Sequence, residues 1–273
     1  MMKPALSNIA LSPFDHADEL RALPAMGYKG IEVAPSRVWE ASWDGLTPAQ
    51  VEAYRHQVEN AGLRIVGLHS LFFDQPDLGL FKGPEIEERT LDFLVHLSAV
   101  CRDLGGRTLI WGSKTARTKG ERSWDQAKAE TLDFLGRLSQ AIEDHGTVYC
   151  FEPLEPDVAD FVNSALESLD LVQTLDHPSF GLQLDAKALV GNGELTNDLV
   201  AACGEAICHV HANEPDLGVL DPDGPVDHEA FAGFLKGVGY EGYVTAEQRM
   251  LNADDPLDDA ARSAAVLEGL YAS

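Results

Sequence analysis

The chain has 273 residues, 45% of them hydrophobic and 24% charged, and its 45 acidic and 20 basic side chains give a formal net charge of −25. That size supports a core stable without disulfides, and the acidity argues against a nucleic-acid partner, because a polyanion needs a concentrated basic face. No run of about 18 apolar residues is present to span a membrane. The opening stretch MMKPALSNIALSPFDHADEL lacks a cleavable hydrophobic segment, and Cys101, Cys150, Cys203 and Cys208 sit in apolar runs without CxxC spacing. We read a cytoplasmic protein with reduced thiols.

In chain order, a β-rich run at residues 5–11 precedes a short helical stretch at 17–26 that contains a proline. A strand at 30–33 leads to a helix at 47–61, where Thr47 and Pro48 suit the N-cap and first turn. A strand at 64–69 leads to a helix at 84–104, whose Ile86, Leu91, Phe93, Leu94 and Leu97 recur near the helical period. Strands at 108–111 and 147–152 flank a helix at 123–145. Helix 164–175 then leads to strand 181–185, helix 196–203 to strand 207–211, and helix 227–238 to strand 243–247. A last helix covers 256–272.

Strand then helix, repeated eight times over this length, predicts an α/β fold: a single (β/α)8 TIM barrel forming one domain over residues 1–273. A doubly wound open sheet is the competitor, but the GxGxxG turn that usually marks it is absent. No linker or low-complexity stretch divides the chain. GYKGIEV (27–33) and GYEGYVT (239–245) echo one another, and the first glycine of each suits a left-handed helix C-cap.

Barrels of this kind carry their active sites at the C-terminal ends of the strands. Four consecutive strands here close on Glu152, Asp185, His211 and Glu247, at intervals of 33, 26 and 36 residues, close to one strand–helix unit each. Glu32 and His69 lie at the ends of strands 2 and 3. Three ionised carboxylates brought to one point repel one another unless a cation sits between them. Mainly oxygen donors with one imidazole suit Mn²⁺, Mg²⁺ or Co²⁺ and admit Zn²⁺. In ICHVH (207–211), His209 and His211 share a face because side chains alternate along a strand. His211 at the rim is the expected ligand, and His209, one layer deeper, a core or supporting group.

At GYKGIEV, GLRIVGLHS, FEPLEP, QLD (183–185), HVHANE and GVGYEGYVTAE the chain resembles the xylose isomerase-like TIM-barrel superfamily, over nearly its whole length. Within it the chain is most similar to the sugar phosphate isomerase/epimerase group, which includes D-tagatose 3-epimerase, hydroxypyruvate isomerase and inosose dehydratase. The resemblance implies one divalent metal held by Glu152, Asp185, His211 and Glu247, with Glu152 and Glu247 doubling as the acid/base pair. It implies isomerisation or epimerisation of a small sugar, ketose or polyol through proton abstraction and an ene-diolate. The alternatives are an inosose-type dehydratase using the same site, the abasic-site endonuclease branch, which needs a histidine-rich multi-metal cluster, and a non-catalytic binding or subunit role.

The chain departs from the epimerase pattern at Ala188 and Leu217, where those enzymes place a substrate-contacting histidine and arginine, so the particular sugar does not carry over. Lys187, His69 and Asn213 are candidate substrate contacts, with Trp111 closing strand 4 and Arg117 in the loop after it. Lys114, Arg117, Lys119 and Arg122 form a basic cluster suited either to an anionic substrate group or to a solvated loop. Trp39, Trp43, Phe72, Phe73 and Phe81 suit the rim of a sugar pocket or a contact in a homo-oligomer, dimer or tetramer.

Overall fold

Eight parallel strands close on themselves in sequence order, β1 pairing with β8, in the computed structural model, which describes residues 1–273. The strands are β1 (Lys3–Ser7), β2 (Gly30–Val33), β3 (Arg64–Leu68), β4 (Thr108–Trp111), β5 (Val148–Phe151), β6 (Phe180–Asp185), β7 (Ile207–Ala212) and β8 (Tyr243–Ala246). The helices are α1 (Ala17–Ala22), α2 (Pro48–Asn60), α3 (Pro84–Leu104), α4 (Trp124–Ala141), α5 (Ala165–Leu175), α6 (Ala186–Gly191), α7 (Asn197–Cys203), α8 (His228–Gly237) and α9 (Pro256–Val266). The expected (β/α)8 TIM barrel is the observed fold.

Local chemistry sets the element boundaries. Thr47 with Gln50 and Ser123 with Gln126 form reciprocal capping boxes that start α2 and α4. Gly27 and Gly239 take the left-handed backbone anticipated for them, with φ of 103° and 73°, and turn the chain into β2 and β8.

Two expectations fail. The first β run was expected to reach residue 11, but after Ser7 the chain turns into a 3₁₀ segment, Asn8–Ala10. The Asn8 amide accepts from the Ala34 N–H (2.8 Å) and donates to its carbonyl (3.3 Å), which replaces strand pairing at that point. The second concerns Lys187, which falls between the strand expected at 181–185 and the helix expected at 196–203, where no helix was anticipated. It lies in α6, a helix of six residues capped by Asp185, whose Oδ1 accepts from the Ala188 N–H at 2.8 Å.

Alternation along each strand divides its side chains between the helical shell and the barrel interior. On β5, Tyr149 donates from its hydroxyl to the Leu94 carbonyl of α3 (2.6 Å), and Phe151 stacks on Trp111 at 5.1 Å between centroids. The opposite face carries Val148 and Cys150, and Glu152 follows them at the C-terminal rim. On β7 a register shift against β6 makes Cys208 the extra residue and keeps His209 beside Gln183 and His211 beside Asp185.

Candidate metal centre

His211 is fully buried, and three carboxylates surround its Nδ1: Glu247 Oε2 at 3.4 Å, Glu152 Oε1 at 3.5 Å and Asp185 Oδ2 at 3.6 Å. That Nδ1 has no hydrogen-bond partner. One ligating atom from each of the four residues falls within 4.8 Å of all the others. An orphaned imidazole nitrogen facing three carboxylate oxygens is the arrangement that a dication completes, so the donor set fits a divalent metal.

The opposite side of the imidazole fixes which nitrogen is free. Glu32, fully buried, spans both histidines of β7, with Oε2 3.0 Å from His211 Nε2 and Oε1 3.1 Å from His209 Nε2. With the proton held on Nε2 toward Glu32, the Nδ1 lone pair points at the three carboxylates. His209 therefore lies one layer deeper, as expected. The sequence reading put Glu32 near a strand end but gave it no role. The available signal was an acid inside an apolar, fully buried strand.

Asn213 ties the ligands together and borders the cavity above them. Its amide donates to Asp185 Oδ2 (2.6 Å) and Glu247 Oε2 (3.0 Å), while its oxygen accepts from the Lys187 N–H (2.9 Å). Gln183 donates to Glu152 Oε1 (3.4 Å). His69 lies 3.3 Å through Nδ1 from Glu247 Oε1, and its Nε2 meets the Ser7 hydroxyl at 2.7 Å.

Crowding sets the protonation of the metal-free cluster. Burial, with the Asp185 and Glu247 charges, pushes the Glu152 carboxyl up to about 7 despite the attraction of nearby His211. Burial also disfavours a charged Glu247, but His211 and His69 outweigh it and hold that carboxyl well below the usual range. Burial opposes a charged His211 too, and the surrounding carboxylates, Glu247 and Glu32 foremost, raise it well above an ordinary histidine. Protons on Glu152 and His211 thus do part of the neutralising that a cation would do.

Two cavities meet over the cluster. The larger, of about 540 Å³, is lined by His69, Phe72, Phe73, Ser113 and Lys114 among others. The second, of about 330 Å³, is lined by Leu154, Lys187, Asp216 and Leu217; Glu152 and Glu247 border both. Lys187 is ion-paired through Nζ with Glu155 Oε1 at 2.7 Å; burial works against its charge, but Glu155 and Asp185 raise its proton affinity overall.

Two expected substrate contacts lie elsewhere. Trp111 is buried against Phe72, Phe134 and Phe151 on the outer face of β4, because residue 110 takes the inward position. Arg117 is fully buried, donates from Nη1 to the Glu152 carbonyl (2.5 Å) and lies 4.9 Å from the Phe151 ring. It supports the end of β5 from behind. The rest of the basic cluster also disperses. Lys119 caps the carbonyls of Gly120 and Arg122, Arg122 pairs with Glu130 and stacks on Phe81, and of the four only Lys114 lines a cavity over the cluster. Among the rim aromatics, Trp39 and Phe72 are buried, whereas Phe73 is 80% exposed at the cavity mouth.

Comparison with known proteins agrees with this architecture. An L-ribulose 3-epimerase from Methylomonas sp. (strain DH-1) is 25% identical over 232 residues, covering 84% of this chain and 77% of that protein. A D-psicose 3-epimerase from Clostridium cellulolyticum H10, solved with D-tagatose, superposes with a TM-score of 0.80 at 14% identity over 99% of both chains. A 3-keto-D-glucoside 4-epimerase from E. coli superposes with a TM-score of 0.78 at 21% identity over the full length of both. Residues 20–270 match the family described as the xylose isomerase-like TIM barrel, and the chain belongs to that family.

Proposed function

We propose that this protein is a metal-dependent enzyme that isomerises or epimerises a small sugar, ketose or polyol. The observation that carries this reading is the buried His211 Nδ1 facing Glu152, Asp185 and Glu247 beneath an open cavity. The epimerase relatives on the same barrel support the reaction class.

Glu152, Asp185, His211 and Glu247 would hold one divalent cation, with Mn²⁺ best suited to three carboxylates and an imidazole. Such an ion, when bound, supplies Lewis acidity that makes the hydrogen next to a sugar carbonyl more acidic. The protein does the rest. Glu152 and Glu247 would serve as the acid/base pair, one taking a proton from the substrate and the other returning one. Both border both cavities, so each reaches a substrate lying over the cluster. Asn213 and Gln183 orient the carboxylates, and Arg117 fixes the backbone from which Glu152 springs. His69 and Lys187 line opposite lobes and would contact the sugar. All four cysteines are free, in keeping with a reducing, cytoplasmic setting, and no helix is long and apolar enough to cross a membrane.

The test is solvent deuterium incorporation into a panel of ketoses by protein loaded with Mn²⁺, Mg²⁺, Co²⁺ or Zn²⁺, alongside elemental analysis of the protein as purified. Exchange that disappears in Glu152→Gln supports the reading; no bound metal and no exchange with any ketose would end it. A product lighter by one water would reassign the same site to dehydration.

A further inference from the structure

A third cavity, of about 350 Å³, opens at the same end of the barrel, between the loops that follow β1, β2, β3, β7 and β8. Ser36, Arg37, Ser70 and Arg249 supply its polar lining. It shares Ser70 and Phe73 with the larger cavity over the metal centre and Leu217 with the smaller one.

Its charge is the reverse of its surroundings. Acidic residues outnumber basic ones by more than two to one in the chain, and carboxylates line both neighbouring cavities, yet this one has two arginines and no acid. Six of the twelve arginines (Arg21, Arg55, Arg102, Arg122, Arg137 and Arg262) pair with carboxylates; Arg37 and Arg249 are among the six that do not, and they are the two that line this cavity. Arg37 commits one nitrogen, Nη2, to the Leu11 carbonyl (2.5 Å), and its Nε is buried with no partner. Arg249 is exposed and anchored through its backbone, whose N–H donates to the Leu217 carbonyl at 2.9 Å. Next to it the Met250 N–H donates to the Ile9 carbonyl at 2.9 Å, so the segment is tied to the loops on either side. Two arginines lining one cavity without a carboxylate partner, together with two serines, offer the donors a compact anion needs.

We propose that this cavity is an anion subsite, taking a phosphate or carboxylate at the far end of a keto-sugar whose reacting carbons lie over the metal centre. The assignment of substrate class rests on the function proposed above. It also offers a reason for the loss of the epimerase contacts at positions 188 and 217: the substrate is held by its charged end. Leu217, in place of arginine, forms part of the wall between two cavities.

Equilibrium titration of the manganese-loaded protein with D-fructose 6-phosphate, D-fructuronate and D-fructose tests this. The subsite requires one of the anionic sugars to bind at least about tenfold more tightly than D-fructose, with the preference shrinking as salt rises. Whichever anion binds more tightly distinguishes phosphate from carboxylate. Arg249→Gln, at an exposed position, reduces that preference by about tenfold to a hundredfold. Arg37→Lys, which keeps the charge but loses the fork, reduces it partially. Equal binding of all three sugars, no binding of either anion, or a preference untouched by Arg249→Gln overturns the subsite. Binding is read without turnover, so the two proposals fail separately. Proton exchange on neutral ketoses without anion preference sinks the subsite alone; anion-dependent binding without exchange on any ketose keeps it and sinks the reaction.

Discussion

Gly112, the residue after β4, shows how closely the metal centre is built. A Cβ placed there would lie 1.8 Å from Glu152 Oε2 and 3.0 Å from its Cδ, whereas ordinary contact begins at 3.4 Å. The backbone of Gly112 is not left-handed, so alanine is compatible with the main chain. The clash therefore falls on the end of one flexible side chain, and the Gly112→Ala protein should fold. Reducing the freedom of the unfolded chain can even add about 0.4–1 kcal/mol of stability. The Glu152 carboxylate, however, must retreat by about 1.5 Å, and a displacement of about 1 Å in a reacting group costs on the order of a hundredfold in rate. Steady-state kinetics on the ketose found active, with metal titration and thermal melting in parallel, should show kcat/KM down by about a hundredfold. Metal binding should weaken and Tm stay nearly constant. Adding Glu152→Asp, one methylene shorter, should recover part of the loss because the two sites are coupled through that contact. Activity kept within about threefold of wild type, or a Tm collapse matching the loss of rate, would refute the steric argument.

The remaining predictions address the metal and the frame. Free Mn²⁺ at about a hundred times its Kd should stabilise the fold by about 2.7 kcal/mol, read as a rise in Tm that EDTA reverses; an unchanged Tm would mean no site. Glu152, pushed up to about 7, and His211, raised well above an ordinary histidine, hold protons near neutral pH in the metal-free cluster, and a cation must displace them. Metal affinity should therefore fall as pH drops below about 7, with proton release visible by calorimetry in buffers of different ionisation enthalpy; a flat profile from about pH 5.5 to 8 contradicts this. Glu32→Gln, which weakens the anchor on His211 Nε2, should reduce metal affinity by about 10–100-fold; an unaltered Kd would leave Glu32 a purely structural residue. Ser123→Ala removes the exposed capping box of α4 and should cost about 1 kcal/mol, measured by urea denaturation, with kcat unchanged.

Much of the architecture was legible in local sequence, because strands and helices impose their periods on apolar residues and announce their ends with caps. The runs VYCFE, GLQLD and YVTAE each deliver an acid at a strand's C-terminal rim, and one strand–helix unit of spacing is enough to place Glu152, Asp185, His211 and Glu247 on neighbouring strands. Barrel closure decided what those intervals do not encode. Glu32 reaches His211 from 179 residues away, across the interior, because β1 and β2 complete the circuit beside β8. Arg117, a loop residue by its sequence neighbours, turns inward to the Glu152 carbonyl, and Arg37 and Arg249 line one cavity although 212 positions separate them. Spacing along a chain fixes which strand carries a residue; register and loop packing fix which side chains then touch.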